Sequence, residues 1–355
     1  MRVAIRSIGT ATPSRAASIA LGLGVPVQAV METLYRAPRI LVDGLAPETA
    51  DRMAELLGDL GCEVAVEPED MAPPGEEPLY DVALHINDTA RYGAVTEALA
   101  EFLGCDAAQA ARAILQPPGV VLGQVSAATV EALCRRLGEG AELSVSDPQA
   151  ARYDLFLGAC DPTVRARVLG ELRRRGREPL AGAGCLLSGL SRSEADAIWA
   201  ALGRIGALRI VNSDFLRYDI VLTGGTDTPA AREVLEAYAR IPGHIVPELF
   251  GALPIAAMEA VPQADMPAAL ERLAAAGLSV RADLVTFLHL GVELVSARRG
   301  VDPGRVLQRL GIETGGRVAV PGRLPFAMPE LQARLVRDAL AGAGIEAALY
   351  EPEGA

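Results

Sequence analysis

A helix that is closed by a glycine and followed by a short strand recurs five times in this chain. Each copy begins near Ser, Pro or an acidic residue and continues with apolar residues at helical spacing. Glycine takes the left-handed conformation that commonly ends a helix without steric cost. The closing glycines are Gly61, Gly140, Gly206, Gly277 and Gly344, which are 79, 66, 71 and 67 residues apart. Such a period predicts a tandem array of small units.

The remainder of each unit also recurs. An apolar, alternating strand opens it, as in RVAIRSI from Arg2, YDVALHI from Tyr80, YDLFLGA from Tyr153 and YDIVLTG from Tyr218. A helix of about twelve residues, a shorter helix and a Pro/Gly turn then lead to the closing helix. The sequence therefore predicts an α/β fold of about five β-α-α-α-β repeats. The first and last strands of each repeat are expected to lie side by side, with the helices on one face.

Boundaries follow from this pattern. The predicted repeats span residues 1–70, 80–148, 152–214, 217–282 and 283–355. Residues 71–79 are rich in acids and prolines and are expected to form a linker, since they cannot build a core. The third repeat is degenerate over the glycine-rich residues 179–189. In the fifth, residues 278–284 could supply an opening strand shared with the fourth repeat, or residues 285–295 could be helical.

The charge and the residue composition argue against several classes of binding partner. The chain has 45 acidic and 33 basic residues, a net charge of −12, and no lysine. Nucleic acids and acidic membranes require clustered cations, so neither is an expected partner. There is no signal-peptide pattern and no apolar run long enough to span a membrane, which favours a cytoplasmic protein. The five cysteines form no CxxC motif and are expected to be small buried residues in a reducing compartment.

Residues 80–145 resemble two related domains: the C-terminal domain of the acidic ribosomal stalk protein and the ClpS-like fold of Clp-protease adaptors. The adaptor family has a strand that ends in Leu-Asn-Asp with a helix just beyond, and here the strand ends in Ile86-Asn87-Asp88-Thr89. The resemblance implies this fold for all five repeats. It also implies that Asn87 and Asp88 bind the free amino terminus of a degradation substrate. Where that family supplies a pocket histidine, this chain has Gln116-Pro117-Pro118.

Two groups of residues are candidate binding sites. Asn87, Asp88 and Thr89 could hold a ligand amine, or they could cap the helix that follows. The second group lies at a predicted helix C-terminus and consists of Arg173, Arg174, Arg175 and Arg177. This arginine cluster could contact an anion or an acidic partner, or could simply compensate the helix dipole.

The sequence shows no catalytic constellation. The histidines, His85, His244 and His289, fall in different repeats without metal-ligand spacing, and no GxSxG motif occurs. Gly224-Gly225-Thr226 is typical of a plain turn, and Trp199 is expected in the core of the third repeat. No metal or cofactor is predicted.

The leading hypothesis is therefore a non-catalytic scaffold, adaptor or assembly subunit that binds other proteins and could self-associate. Two alternatives stay open. One is a Clp-type substrate adaptor, and the other is a divergent enzyme or small-molecule binder with its site between repeats.

Overall fold

A computed structural model describes residues 1–72, 74–75, 77–180, 184–314 and 318–352. The described helices and strands form a mixed α/β protein with five small antiparallel sheets, which we number as modules 1 to 5 in chain order. The chain divides into two compact units, Met1–Val145 with Leu288–Ala355, and Ser146–Phe287. The first unit holds modules 1, 2 and 5, and the second holds modules 3 and 4.

Modules 1 and 2 have the element order β-α-α-β-α-β, and their first strand is the middle strand of the sheet. Module 1 consists of β1 (Arg2–Ser7), α1 (Pro13–Leu23), α2 (Val27–Tyr35), β2 (Arg39–Val42), α3 (Pro47–Asp59) and β3 (Glu63–Glu67). Module 2 consists of β4 (Tyr80–Ile86), α4 (Tyr92–Leu103), α5 (Ala107–Leu115), β5 (Val120–Val125), α6 (Ala127–Leu137) and β6 (Ala141–Ser146). A short 3-10 helix, Thr89–Arg91, precedes α4.

Modules 3 and 4 also place their first strand in the middle of the sheet. Module 3 consists of β7 (Tyr153–Leu157), α7 (Pro162–Arg174), β8 (Cys185–Leu190), α8 (Arg192–Leu202) and β9 (Leu208–Asn212). Module 4 consists of β10 (Arg217–Gly224), α9 (Pro229–Ala237), α10 (Val246–Gly251), β11 (Ile255–Pro262), α11 (Met266–Ala275) and β12 (Ser279–Leu284). Within the described residues of module 3, one helix rather than two connects the first strand to the second.

Module 5 is built around β13, which pairs with three shorter strands. It consists of β13 (His289–Ala297), α12 (Pro303–Arg309), β14 (Gly322–Arg323), β15 (Met328–Pro329), α13 (Glu330–Gly342) and β16 (Ile345–Tyr350). The opening strand of this module is thus β13, which begins inside residues 285–295, so the helical alternative for that segment is wrong. Residues 279–284 pair with β10 and belong to module 4.

The second strand of each module is absent from the sequence-based prediction of β-α-α-α-β. The pattern indicates a Pro/Gly turn there, but the structure has β2, β5, β8 and β11 before the helix that leads to the last strand. These strands are hard to recognise because β2 has four residues and β5 and β8 contain glycine, which weakens any alternation. The predicted linker at 71–79 is described except at positions 73 and 76.

A recurring aspartate explains the Tyr-Asp pair that opens three of the modules. Its carboxylate accepts a hydrogen bond from a backbone N–H in the second strand, at a bulge where the chain enters the left-handed region. The bulge residues Gln124, Gly189 and Ala260 have φ angles of +58°, +70° and +49°. The bonds join Gln124 to Asp81 at 3.0 Å, Gly189 to Asp154 at 2.8 Å and Ala260 to Asp219 at 2.8 Å.

The two compact units use different internal packing. In the first, modules 1 and 2 share one hydrophobic core, in which the rings of Tyr35 and Phe102 lie 5.8 Å apart. The hydroxyl of Tyr35 donates to the carbonyl of Phe102 at 2.7 Å, and burial raises the pKa of Tyr35 to about 12. In the second unit, modules 3 and 4 meet through a small cluster that includes Phe156 and Phe287, with ring centroids 5.0 Å apart.

Candidate functional site

Each module has a helix between its last two strands, which we call the closing helix: α3, α6, α8, α11 and α13. One face of this helix packs on its own sheet. In the first compact unit, the outward face of α6 contacts module 1. Nη2 of Arg136 donates to the carbonyl of Thr10 at 2.9 Å, and Nη2 of Arg135 lies 3.3 Å from Oε1 of Glu63.

The outward face of α13 contacts module 2 in a similar way. Oγ1 of Thr89 donates to Oδ2 of Asp338 at 2.5 Å, and Nη2 of Arg334 donates to the carbonyl of Asn87 at 2.8 Å. Leu331 adds an apolar contact to the core shared by modules 1 and 2. In both cases a closing helix meets the loop that follows the first strand of a neighbouring module, which we call the opening loop.

The positions used on the two helices correspond. In α6 and α13 the last buried leucine is Leu137 and Leu340. Arg135 and Asp338 lie two residues before that leucine, and both contact the neighbouring module. The outward face of the closing helix is therefore the contact surface between modules in this unit.

Helix α8 carries the corresponding face in the second unit. It begins with a capping box in which Ser191 and Glu194 exchange hydrogen bonds, and it buries Ala195, Ile198 and Leu202 against its sheet. Trp199 follows Ile198 by one residue, a rotation of about 100° around the helix, and is 51% exposed. The prediction that Trp199 lies in the core is thus wrong, because the buried stripe is too narrow to include it.

The exposed surface of α8 around this tryptophan is mixed, because Asp196, which pairs with Arg192, lies one turn before Trp199 on the same face. Ala197, Ala200 and Ala201 are all exposed. The indole lies directly against Gly203, where an added Cβ would come within 2.8 Å of two ring atoms. Because glycine has no Cβ, the indole ring of Trp199 packs directly against the backbone of residue 203. The sequence signal for this surface is the stripe at 195, 198 and 202, which leaves Trp199 on the flank.

The structure brings the predicted residues Asn87, Asp88 and Thr89 against module 5. The carbonyl of Asn87 and the hydroxyl of Thr89 make the contacts to α13 described above. The carboxylate of Asp88 accepts a hydrogen bond from the backbone N–H of Ala90 at 2.9 Å and caps the 3-10 helix. These contacts are the capping and packing roles that Asx residues commonly play after a strand.

The predicted arginine cluster lies at the C-terminal end of α7, and each of its members forms an ion pair with a carboxylate of the same module. The pairs are Arg173 with Glu178 at 3.3 Å, Arg174 with Glu171 at 2.5 Å, Arg175 with Glu171 at 3.0 Å, and Arg177 with Glu194. Most of these side chains are substantially exposed, so the pairs contribute little stability. The cluster also lies at the C-terminal end of the helix, where positive charges interact favourably with the helix dipole.

A cleft of about 420 Å³ lies where modules 1 and 2 meet. Its lining includes Thr10, Cys62, Glu63, Arg135 and Arg136. Burial raises the pKa of the Cys62 thiol to about 11, so this sulfur is a thiol at neutral pH and a poor nucleophile. Of the two arginines that line the cleft, Arg135 is the more exposed, and it forms an ion pair with Glu63.

The histidines His85, His244 and His289 lie in modules 2, 4 and 5. Within the described residues, no group of three or more His, Cys, Asp or Glu side chains is arranged to hold a metal ion. None of the helices in the described part of the chain has the length and apolar character needed to cross a bilayer. Comparisons of the chain with protein-family models, with curated proteins and with solved structures returned no match.

Proposed function

We propose that this chain is a cytoplasmic, non-catalytic scaffold or assembly subunit that binds another protein through the outward face of α8. The observation that carries the proposal is the half-exposed Trp199, which lies beside the exposed Ala200 and Ala201. Counted from the last buried leucine, Ala200 and Ala201 hold the places of Arg135 and Arg136, through which α6 contacts module 1. The side of α8 next to Trp199 thus corresponds to a helix side that is used elsewhere in the chain for contact between modules.

The energetics favour a protein partner. Tryptophan is enriched among the few residues that carry most of the binding energy at interfaces, because it buries a large rigid surface. The ring of Trp199 rests on Gly203, so little side-chain freedom remains to be lost on binding. The flanking alanines allow a partner helix or strand to approach closely.

The test is quantitative affinity capture from the native cell with the tagged full-length chain. We expect one partner protein at near-stoichiometric recovery with the wild type. Trp199→Ala should weaken its binding at least about 30-fold, as for a hot-spot residue. The matched control is Leu21→Ala in α1, which removes a side chain that is 86% exposed but lies in module 1.

Two outcomes would contradict the proposal. Equal recovery of the same partner by the wild type and by Trp199→Ala would remove α8 from the interface. Turnover of a small molecule by the purified chain, abolished by a point substitution outside α8, would replace the scaffold with an enzyme.

We further propose that the five modules are variants of one ancestral unit of the ClpS-like or ribosomal-stalk type. The shared element order of modules 1, 2 and 4 and the common place of Asp81, Asp154 and Asp219 support this origin. A Clp-type adaptor activity of this ancestry would require Asn87 and Asp88 to bind a free amino terminus. Peptide binding that survives Asn87→Ala with Asp88→Ala would reject that activity.

The cleft between modules 1 and 2 supports a second candidate function, the binding of a small anionic molecule. Arg135 is 63% exposed and its ion pair with Glu63 is 3.3 Å long, so a carboxylate or phosphate could replace the glutamate. A panel of anionic metabolites should then raise the melting temperature of the wild type but not of Arg135→Ala. No shift with any member of the panel would reject this candidate.

A further inference from the structure

The closing helix of module 1 has an outward face that nothing in the described chain covers. The last buried leucine of α3 is Leu57, so Leu56 and Glu55 occupy the places that Arg136 and Arg135 occupy in α6. Leu56 is 65% exposed, which is unusual for a leucine in the middle of a contact face. Helix α3 therefore presents, unoccupied, the surface that α6 and α13 use to bind a neighbouring module.

The opposite element is free in module 5. The opening loop of this module follows β13, and the backbone N–H of Arg298 donates to the carbonyl of Gly344 at 2.9 Å. In module 1 the N–H of Thr10 makes the same bond to Gly61, also at 2.9 Å. Arg298 thus holds the place at which Thr10 receives the closing helix of module 2, and both Arg298 and Arg299 are exposed.

These two free surfaces carry opposite charge. Between Pro47 and Asp59, α3 contains four acidic residues and one arginine, listed as Glu48, Asp51, Arg52, Glu55 and Asp59. From residue 298 to residue 309, the loop and α12 contain four arginines and one acid, namely Arg298, Arg299, Asp302, Arg305 and Arg309. The surfaces are thus complementary in a chain whose overall charge of −12 would otherwise oppose self-association.

We infer that α3 of one molecule binds the opening loop of module 5 of a second copy, so that the chains associate head to tail. The contact repeats the geometry by which α6 binds module 1 and α13 binds module 2. Glu55 and Asp59 face Arg298 and Arg299 of the second copy, and Leu56 provides the apolar centre. Since the two surfaces differ, the interface is heterologous and generates either an open filament or a closed ring.

This inference is independent of the protein partner proposed for Trp199, which lies in the second compact unit. Loss of self-association would leave capture of that partner unchanged in Glu55 and Leu56 variants. Loss of the partner in Trp199→Ala would leave self-association unchanged. The experiments can therefore reject self-association without rejecting the partner proposed for Trp199, and the reverse.

The experiment is sedimentation velocity of the purified full-length chain over a range of protein and salt concentrations. We expect reversible species larger than the monomer, with an affinity that falls about tenfold or more between low and high salt, because exposed charges dominate the contact. The double variant Glu55→Arg with Leu56→Asp blocks the helix end. The double variant Arg298→Ser with Arg299→Ser blocks the loop end without creating a new complement to the Glu55→Arg helix.

Each blocked variant should be monomeric on its own. Mixed one to one, they should form a discrete dimer and nothing larger, because each still offers one intact surface. The matched controls Glu32→Arg and Arg112→Glu reverse exposed charges elsewhere in modules 1 and 2 and should associate like the wild type. Circular dichroism confirms that every variant is folded.

A wild-type chain that stays monomeric at all concentrations would overturn the inference. So would oligomers that persist in both blocked variants, since another surface would then hold them. Blocked variants that fail to dimerise when mixed, although the wild type associates, would show that the contact is not head to tail.

Discussion

Replacing Asp154 with alanine tests whether the recurring aspartate holds the sheet of a module together. The carboxylate is 8% exposed and accepts hydrogen bonds from the N–H of Gly189 at 2.8 Å and from the hydroxyl of Ser213 at 3.3 Å. Burial raises the pKa of Asp154, and these two bonds act in the opposite direction by favouring the charged form. Both bonds are accepted by Oδ1 of Asp154, and alanine removes them without altering the backbone.

The expected cost follows from those two bonds. An unsatisfied buried N–H costs about 1–3 kcal/mol, and an ordinary side-chain hydrogen bond contributes about 0.5–1.5 kcal/mol. Asp154→Ala should therefore lower the free energy of unfolding by about 2–4 kcal/mol. Asp154→Asn keeps one acceptor oxygen and should cost less. Asp81→Ala and Asp219→Ala, which remove the equivalent bond, should each cost at least about 1 kcal/mol.

Urea unfolding followed by tryptophan fluorescence suits the assay, because Trp199 is the single tryptophan of the chain and lies in the same module as Asp154. The control is Glu233→Ala, which removes an exposed carboxylate from the middle of α9 in module 4 of the same compact unit and should change stability by less than about 0.5 kcal/mol. An unchanged midpoint for Asp154→Ala would refute the role assigned to the aspartate.

Three further perturbations have defined outcomes. The guanidinium of Arg2 is 3% exposed and lies 2.7 Å from the carboxylate of Glu67, so Glu67→Ala leaves a buried positive charge without its partner. The free energy of unfolding of the first unit should fall by about 3–5 kcal/mol. Adding Arg2→Met to the same chain should recover part of that loss, because it removes the unpaired charge. Hydrogen bonds from Ser191 lower the pKa of Glu194 to about 2, so the stability that they contribute is complete above about pH 4.5 and is lost as the pH falls towards 2. Glu194→Gln should therefore flatten acid unfolding in that window, measured by circular dichroism, and an unaltered profile would contradict the assignment. Cys62, whose pKa is raised to about 11, should resist alkylation at pH 7.5 in the native protein and react on unfolding, as mass spectrometry of the labelled chain would show.

Much of the local structure can be predicted from the sequence because it rests on short-range chemistry. The closing glycines, such as Gly61 and Gly344, have positive φ angles as expected for helix ends. The opening strands at Tyr80, Tyr153 and Tyr218 begin at those residues or, in module 4, one residue earlier. These features depend on backbone sterics and on alternation within a few residues.

The second strands could not be predicted in the same way. Strand β2 has four residues, and β5 and β8 are interrupted by glycine. In β5 and β8 a bulge is bonded to an aspartate of the middle strand that lies 43 or 35 residues away in sequence, as for Gln124 with Asp81 and Gly189 with Asp154. No local pattern encodes such a long-range bond.

The candidate site was equally beyond local reasoning. Helical periodicity places Trp199 next to the apolar stripe of α8, and the packing of that helix on its sheet decides that Ile198 is buried while Trp199 is exposed. Similarly, the resemblance draws attention to Asn87 and Asp88, but the sequence does not reveal that α13, some 250 residues further along, contacts Asn87 and the nearby Thr89.

The most direct test of the scaffold function is site-specific photo-crosslinking in the native cell. A photoreactive phenylalanine analogue would be placed at position 200, which is exposed beside Trp199 on α8, and for comparison at position 21, on the exposed part of α1. The account predicts one dominant cross-linked partner protein from position 200 and none of it from position 21. Cross-links from position 200 that are absent, or that scatter over unrelated proteins as they do from position 21, would contradict it.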